Sequence, residues 1–63
     1  MSYEQSMLTD LKRRGWDVIV ETSRDGDTFA HAVRRNVTLK KINTDRKEAV
    51  QRLYTAALAE DDQ

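Results

Sequence analysis

Trp16-Asp17-Val18-Ile19-Val20-Glu21-Thr22-Ser23-Arg24-Asp25-Gly26-Asp27-Thr28-Phe29-Ala30-His31-Ala32-Val33-Arg34 reads as two strands joined by a tight turn. Its first part, residues 16–23, is rich in β-branched and aromatic residues. Asp17 and Glu21 alternate with Trp16, Val18 and Val20, the period of a strand with one buried face. Asp25-Gly26 between two such runs is a strong hairpin signal, because the favoured two-residue turn needs positive φ at both central residues. The second strand then covers residues 28–34. A two-residue loop at Asp25-Gly26 pairs Thr22 with Phe29, Val20 with His31 and Val18 with Val33. That register turns His31 and Val33 toward the core and sends Ile19, Ala30, Ala32 and Arg34 to the other face.

Downstream, Val37-Thr38-Leu39-Lys40-Lys41-Ile42 predicts a third strand over 37–42. A three-residue loop Arg34-Arg35-Asn36, with Asn36 left-handed, aligns Val33 with Val37 and His31 with Leu39. A two-residue loop would instead turn Val37 and Leu39 to the opposite face, so the pattern favours the longer loop. Thr38 and Lys40 then project beside Ile19 and the two alanines.

On either side of the strands the period becomes helical. Tyr3, Met7, Leu8 and Leu11 form one stripe of a helix over 2–14. Ser2 with Gln5 gives a capping-box spacing, Lys12-Arg13-Arg14 suits the negative end of the helix dipole, and Gly15 supplies a left-handed stop. Val50, Leu53, Tyr54, Ala57 and Leu58 mark a helix over 45–59. Thr44 or Asp45 caps it, and Glu48 and Arg52 form an i,i+4 pair in the favourable orientation. The expected fold is α+β, a three-stranded antiparallel sheet with two helices packed on one face, in the order α-β-β-β-α.

With 63 residues the whole chain, 1–63, is expected as a single domain with a thin stability margin. There is no cysteine, which excludes disulfides and thiolate metal sites, and there is no proline. No apolar run is long enough for a membrane span, and no leader is expected, so a cytoplasmic protein follows. Disorder is expected at Met1 and in the acidic tail Glu60-Asp61-Asp62-Gln63. Charged residues make up 35% of the chain and balance to a net charge of +0, so no global field draws it to nucleic acid or to an acidic membrane.

Catalytic signals are thin. The chain holds one histidine, His31, in mid-strand, and the expected place for it is between Val20 and Leu39 in the core. Ser23, Asp27 and His31 lie along a flat ribbon, which lacks the geometry of a triad. Asp25-Gly26-Asp27 has the start of a calcium loop without its remaining ligands, so neither a metal nor any cofactor is expected. Asn36-Val37-Thr38 matches a glycosylation sequon and is read as a turn.

Charge placement is uneven. Residues 28–52 hold seven cations, Arg34, Arg35, Lys40, Lys41, Arg46, Lys47 and Arg52, against two acids, Asp45 and Glu48. Arg34 and Lys40 on the open sheet face, with Arg46 and Lys47 at the start of the second helix, would form a basic patch for phosphates. No aromatic accompanies them to stack a base.

The element order resembles the double-stranded RNA-binding domain. That family opens its second helix with lysine-lysine-x-alanine-lysine, whose cations contact RNA phosphates. The matching stretch here is Arg46-Lys47-Glu48-Ala49-Val50, so the resemblance implies that role for Arg46 and Lys47 and denies it to Val50. The family's glycine-proline-x-histidine loop between its first two strands is replaced by Arg24-Asp25-Gly26-Asp27, which removes the part that reaches the RNA minor groove. What the resemblance implies is therefore the fold.

The functional expectation is a small non-enzymatic binding module: an adaptor, inhibitor or accessory regulator that meets a protein through the open sheet face or a strand edge. A homodimer is compatible with it. The candidate partner-binding residues are Ile19, Ala30, Ala32, Arg34, Thr38, Lys40, Arg46 and Lys47. The alternative is binding of duplex RNA or DNA through the basic patch.

Overall fold

Ser2 opens the first helix with its hydroxyl, which accepts the Gln5 amide N–H at 3.1 Å and satisfies one of the orphan donors of the first turn. In the computed structural model, which describes residues 2–62, the elements are α1 (Tyr3–Arg13), β1 (Asp17–Thr22), β2 (Thr28–Arg34), β3 (Val37–Asn43) and α2 (Arg46–Asp61). Helix α1 ends in a Schellman motif. The Trp16 amide bonds to Leu11 O and the Gly15 amide to Lys12 O, both at 3.0 Å, with Gly15 left-handed at φ 93. That turn drops the Trp16 ring beside Leu11 in the core. Asp45 caps α2, its carboxylate accepting the Lys47 amide at 2.9 Å.

The strands form one antiparallel sheet in the order β1-β2-β3. Both helices lie on one side of it, α2 across β2 and β3 and α1 against β1 and α2. The α+β architecture expected from the sequence is therefore present. Leu11, Val50 and Leu53 are fully buried between the layers, each contributing about 1.5–3 kcal/mol relative to exposure.

The register differs from the expected one at both turns. Val18 pairs with Ala32, Val20 with Ala30, and Thr22 with Thr28. The first turn is a three-residue loop, Arg24-Asp25-Gly26. The Gly26 amide bonds to Ser23 O at 3.1 Å and the Ser23 amide to Asp27 O at 2.8 Å. Gly26 alone is left-handed there, at φ 90. A two-residue turn would force Asp25 into positive φ as well, whereas this loop confines that conformation to glycine. At the second turn Arg34 pairs with Val37 across a two-residue loop, and the left-handed residue is Arg35 at φ 56, not Asn36.

Each turn thus differs by one residue, and the two differences cancel for the outer strands. Val18, Val20, Val37 and Leu39 face the helices as expected. Only β2 is turned over. Ala30 and Ala32, expected on the open face, are 0% exposed in the core, while Phe29, His31 and Val33 point away from the helices. The small side chains let the helical layer approach the sheet closely over the central strand, which bulkier residues would prevent.

The acidic end is ordered as far as Asp62, and α2 runs through Glu60 and Asp61 instead of stopping at 59. Asp61 is held there by two arginines. Arg14 Nη1 donates to its Oδ2 at 3.2 Å, and Arg34 Nη2 donates to its Oδ1. The remaining residues of the expected disordered ends, Met1 and Gln63, lie outside the described residues.

Candidate functional site

The register of the strands also defines the outer surface of the sheet. Side chains directly opposite one another share a face. Three rows therefore make up the uncovered side of the sheet: Asp17, Val33 and Thr38; Ile19, His31 and Lys40; Glu21, Phe29 and Ile42. Ile19, Val33 and Ile42 are 51%, 42% and 63% exposed. Phe29 and His31 are half-buried among their neighbours. Phe29 is directly opposite Ile42 and diagonal to Ile19, which is diagonal to Val33, so the apolar side chains form one band around His31.

The band has charged flanks of opposite sign. Asp17 and Glu21 line the β1 side, and Lys40 lies on the β3 side. All three are exposed and none forms an ion pair among the described residues.

Of the residues singled out from sequence, Ile19, Thr38 and Lys40 do meet on this face. Ala30 and Ala32 do not, being buried. Arg34 projects to the helix side of the sheet, where its guanidinium stacks over the Trp16 ring at 4.3 Å and donates to Arg14 O at 3.1 Å. Arg46 begins α2 on that same side, and its Nε donates to Glu4 Oε1 at 2.6 Å. Lys47 is exposed and forms no ion pair among the described residues. The expected basic patch is thus split between opposite sides of the sheet, with two of its four cations committed to carboxylates.

His31 stands between Ile19 and Lys40 on the open face, not between Val20 and Leu39 in the core. Ser23 and Asp27 serve the turn: the Ser23 hydroxyl accepts the Asp27 amide at 3.2 Å. The three residues do not converge.

A polar network missed in the sequence ties the helices to the sheet. The Tyr54 hydroxyl donates to Asp10 Oδ2 at 2.6 Å, and Arg14 Nε donates to the same oxygen at 2.8 Å. The phenol of Tyr54, then Arg14, holds the Asp10 carboxyl below its ordinary range, and the same bond raises the Tyr54 phenol. Arg34, followed by Arg14, lowers the Asp61 carboxyl against an opposing pull from desolvation. The i,i+4 spacing of Asp10 and Arg14 is the network's one local element; the other bonds join residues distant in sequence. These groups brace the fold, and their hydrogen bonds are directed at one another.

A groove of about 440 Å³ runs between Lys41 and the outer side of α2 from Glu48 to Ala59. It is shallow, and its charged walls include the Glu48–Arg52 pair at 3.4 Å. Among the described residues no group of side chains has the makings of a metal site, and no helix is long and apolar enough to cross a membrane. In comparison with known proteins, the chain matches no family model, no curated protein and no solved structure.

Proposed function

We propose that this chain is a non-enzymatic protein-binding module, an adaptor, inhibitor or accessory regulator, whose contact surface is the open face of the sheet. The observation that carries the reading is the apolar band of Ile19, Phe29, Val33 and Ile42. Isolated exposed apolar residues are ordinary, but contiguous ones with a polar rim have the anatomy of an interface. Thr38 and Lys40 belong to that rim.

Binding of duplex nucleic acid has less support. It needs cations directed at phosphates, and Arg34 and Arg46 are engaged by Asp61 and Glu4. Lys40 and Lys47 project from opposite sides of the sheet. No catalytic step is proposed.

Pull-down from the native host, with and without nuclease, tests the reading when the wild type is compared with an Ile19→Asp, Val33→Asp variant. The expected result is a protein complex that survives nuclease and is lost in the variant. Recovery of nucleic acid alone, or a complex indifferent to the variant, would overturn it.

A further inference from the structure

The open face carries a charge pattern that distinguishes among partners. Its acids are confined to β1 and its lysine to β3, and the apolar band crosses the sheet from Ile19 on β1 to Ile42 on β3. A surface with such polarity is complementary to its own copy only if a two-fold axis lays the β1 flank of one copy over the β3 flank of the other. Two aligned face-to-face arrangements have a two-fold axis in the plane between the sheets. With the axis perpendicular to the strands, β1 lies over β1, Asp17 meets the copy's Glu21, and Lys40 meets the copy's Lys40. With the axis parallel to the strands, each β1 lies over the copy's β3. Lys40 of one copy then sits above Ile19 of the other, bracketed along β1 by Asp17 and Glu21. The two β2 strands cross at the axis.

We infer that the occupant of this face is a second copy of the chain, stacked about a two-fold axis parallel to the strands. This rests on the reading of the open face as a protein interface and names its partner. The aliphatic stem of Lys40 covers Ile19 while its ammonium reaches the two carboxylates, so the contact buries apolar surface without stranding a charge. Phe29 and Val33 meet their own counterparts near the axis, and Ile42 lies against the stem of Glu21. The three rows span about five residues along three strands about 4.8 Å apart, a flat outline of roughly 14 by 17 Å. That is smaller than the ~800 Å² per partner of a standard stable complex. The dimer is accordingly a concentration-dependent equilibrium and not a permanent assembly.

A charge-swap experiment tests the arrangement. One variant carries Lys40→Glu and the other Asp17→Lys with Glu21→Lys, all at exposed positions, and folding of each is checked by its amide NMR spectrum. Sedimentation is followed from about 10 µM to about 1 mM, the range in which a weak complex is read. The wild type is expected to dimerise, each variant alone to lose association at least tenfold, and their equimolar mixture to regain it, because in the mixed dimer every site pairs opposite charges. Wild type that stays monomeric throughout would overturn the homodimer while leaving the face available to a different protein. A wild-type dimer indifferent to Lys40→Glu, with concentration-dependent amide shifts along the β3 edge or α2 groove, would overturn both the homodimer and the interface reading. A mixture that fails to regain association would overturn the parallel axis.

Discussion

On its covered side the central strand contributes Ala30 and Ala32, whereas on its open side it contributes Phe29, His31 and Val33. The larger apolar side chains of β2 thus lie away from the core. The difference teaches that the covered face is limited by how near the helices must come, and the open face is not. Beneath α2, Leu53, Ala49 and Ala57 fill the space above the two alanines, and extra volume there has nowhere to go. On the open face, nothing in the fold limits the size of the side chains.

Substitutions on the two faces should therefore differ sharply. Leu53→Ala opens a cavity in the covered layer and is expected to cost about 2–5 kcal/mol in urea denaturation. That is a large part of the stability expected of so short a chain, roughly 3–9 kcal/mol. A loss below ~1 kcal/mol would mean that the helices do not close over the sheet as described. Ala32→Val adds two methyl groups where there is no room, with an expected loss of about 1–3 kcal/mol from overpacking. The same measurement on Val33→Ala, one residue along the strand, should show less than ~0.5 kcal/mol.

The covered side also holds the acid-sensitive network. The carboxyls of Asp10 and Asp61 are depressed in the folded state. Their contribution is fully present above the ordinary carboxylate value of about 3.9 and is lost as pH falls through the lower folded values. Urea midpoints measured on the acid side of that value should decline with falling pH, and Asp61→Asn should flatten the decline. An unchanged slope in Asp61→Asn would show that Asp61 contributes nothing to this dependence. The smallest effect is expected for Ile19→Ala, whose midpoint at neutral pH, measured at a concentration low enough to keep the chain monomeric, should lie within ~0.5 kcal/mol of wild type.

Much of this organisation was legible in the residues. The helical stripe through Met7 and Leu11, the glycine stop at Gly15, the Asp45 cap and the α-β-β-β-α order all rest on local rules, and all are present. The register was not legible, because Asp25-Gly26 fits a two-residue turn by composition while Arg24-Asp25-Gly26 fits a three-residue loop with glycine third. Alternation along β2 was ambiguous as well. Phe29, His31 and Val33 look more like a core face than Ala30 and Ala32 do, until two helices have to fit over them. Of the candidate site, Ile19, Thr38 and Lys40 were found through β1 and β3, whose faces survive the difference. Arg34 was misplaced with its strand. The bond from Arg46 to Glu4 spans most of the chain, and no local pattern announces it.

Cysteine protection at two adjacent positions tests the orientation of β2 most directly, and the chain has no cysteine of its own to interfere. Ala32→Cys and Val33→Cys, each labelled with a thiol reagent under native conditions at low protein concentration, should behave oppositely. The thiol of Ala32→Cys should react only through unfolding, and that of Val33→Cys at close to the rate of an unstructured peptide. The reverse order, with position 33 protected and position 32 reactive, would contradict the account, because it would return Val33 to the core and Ala32 to the open face.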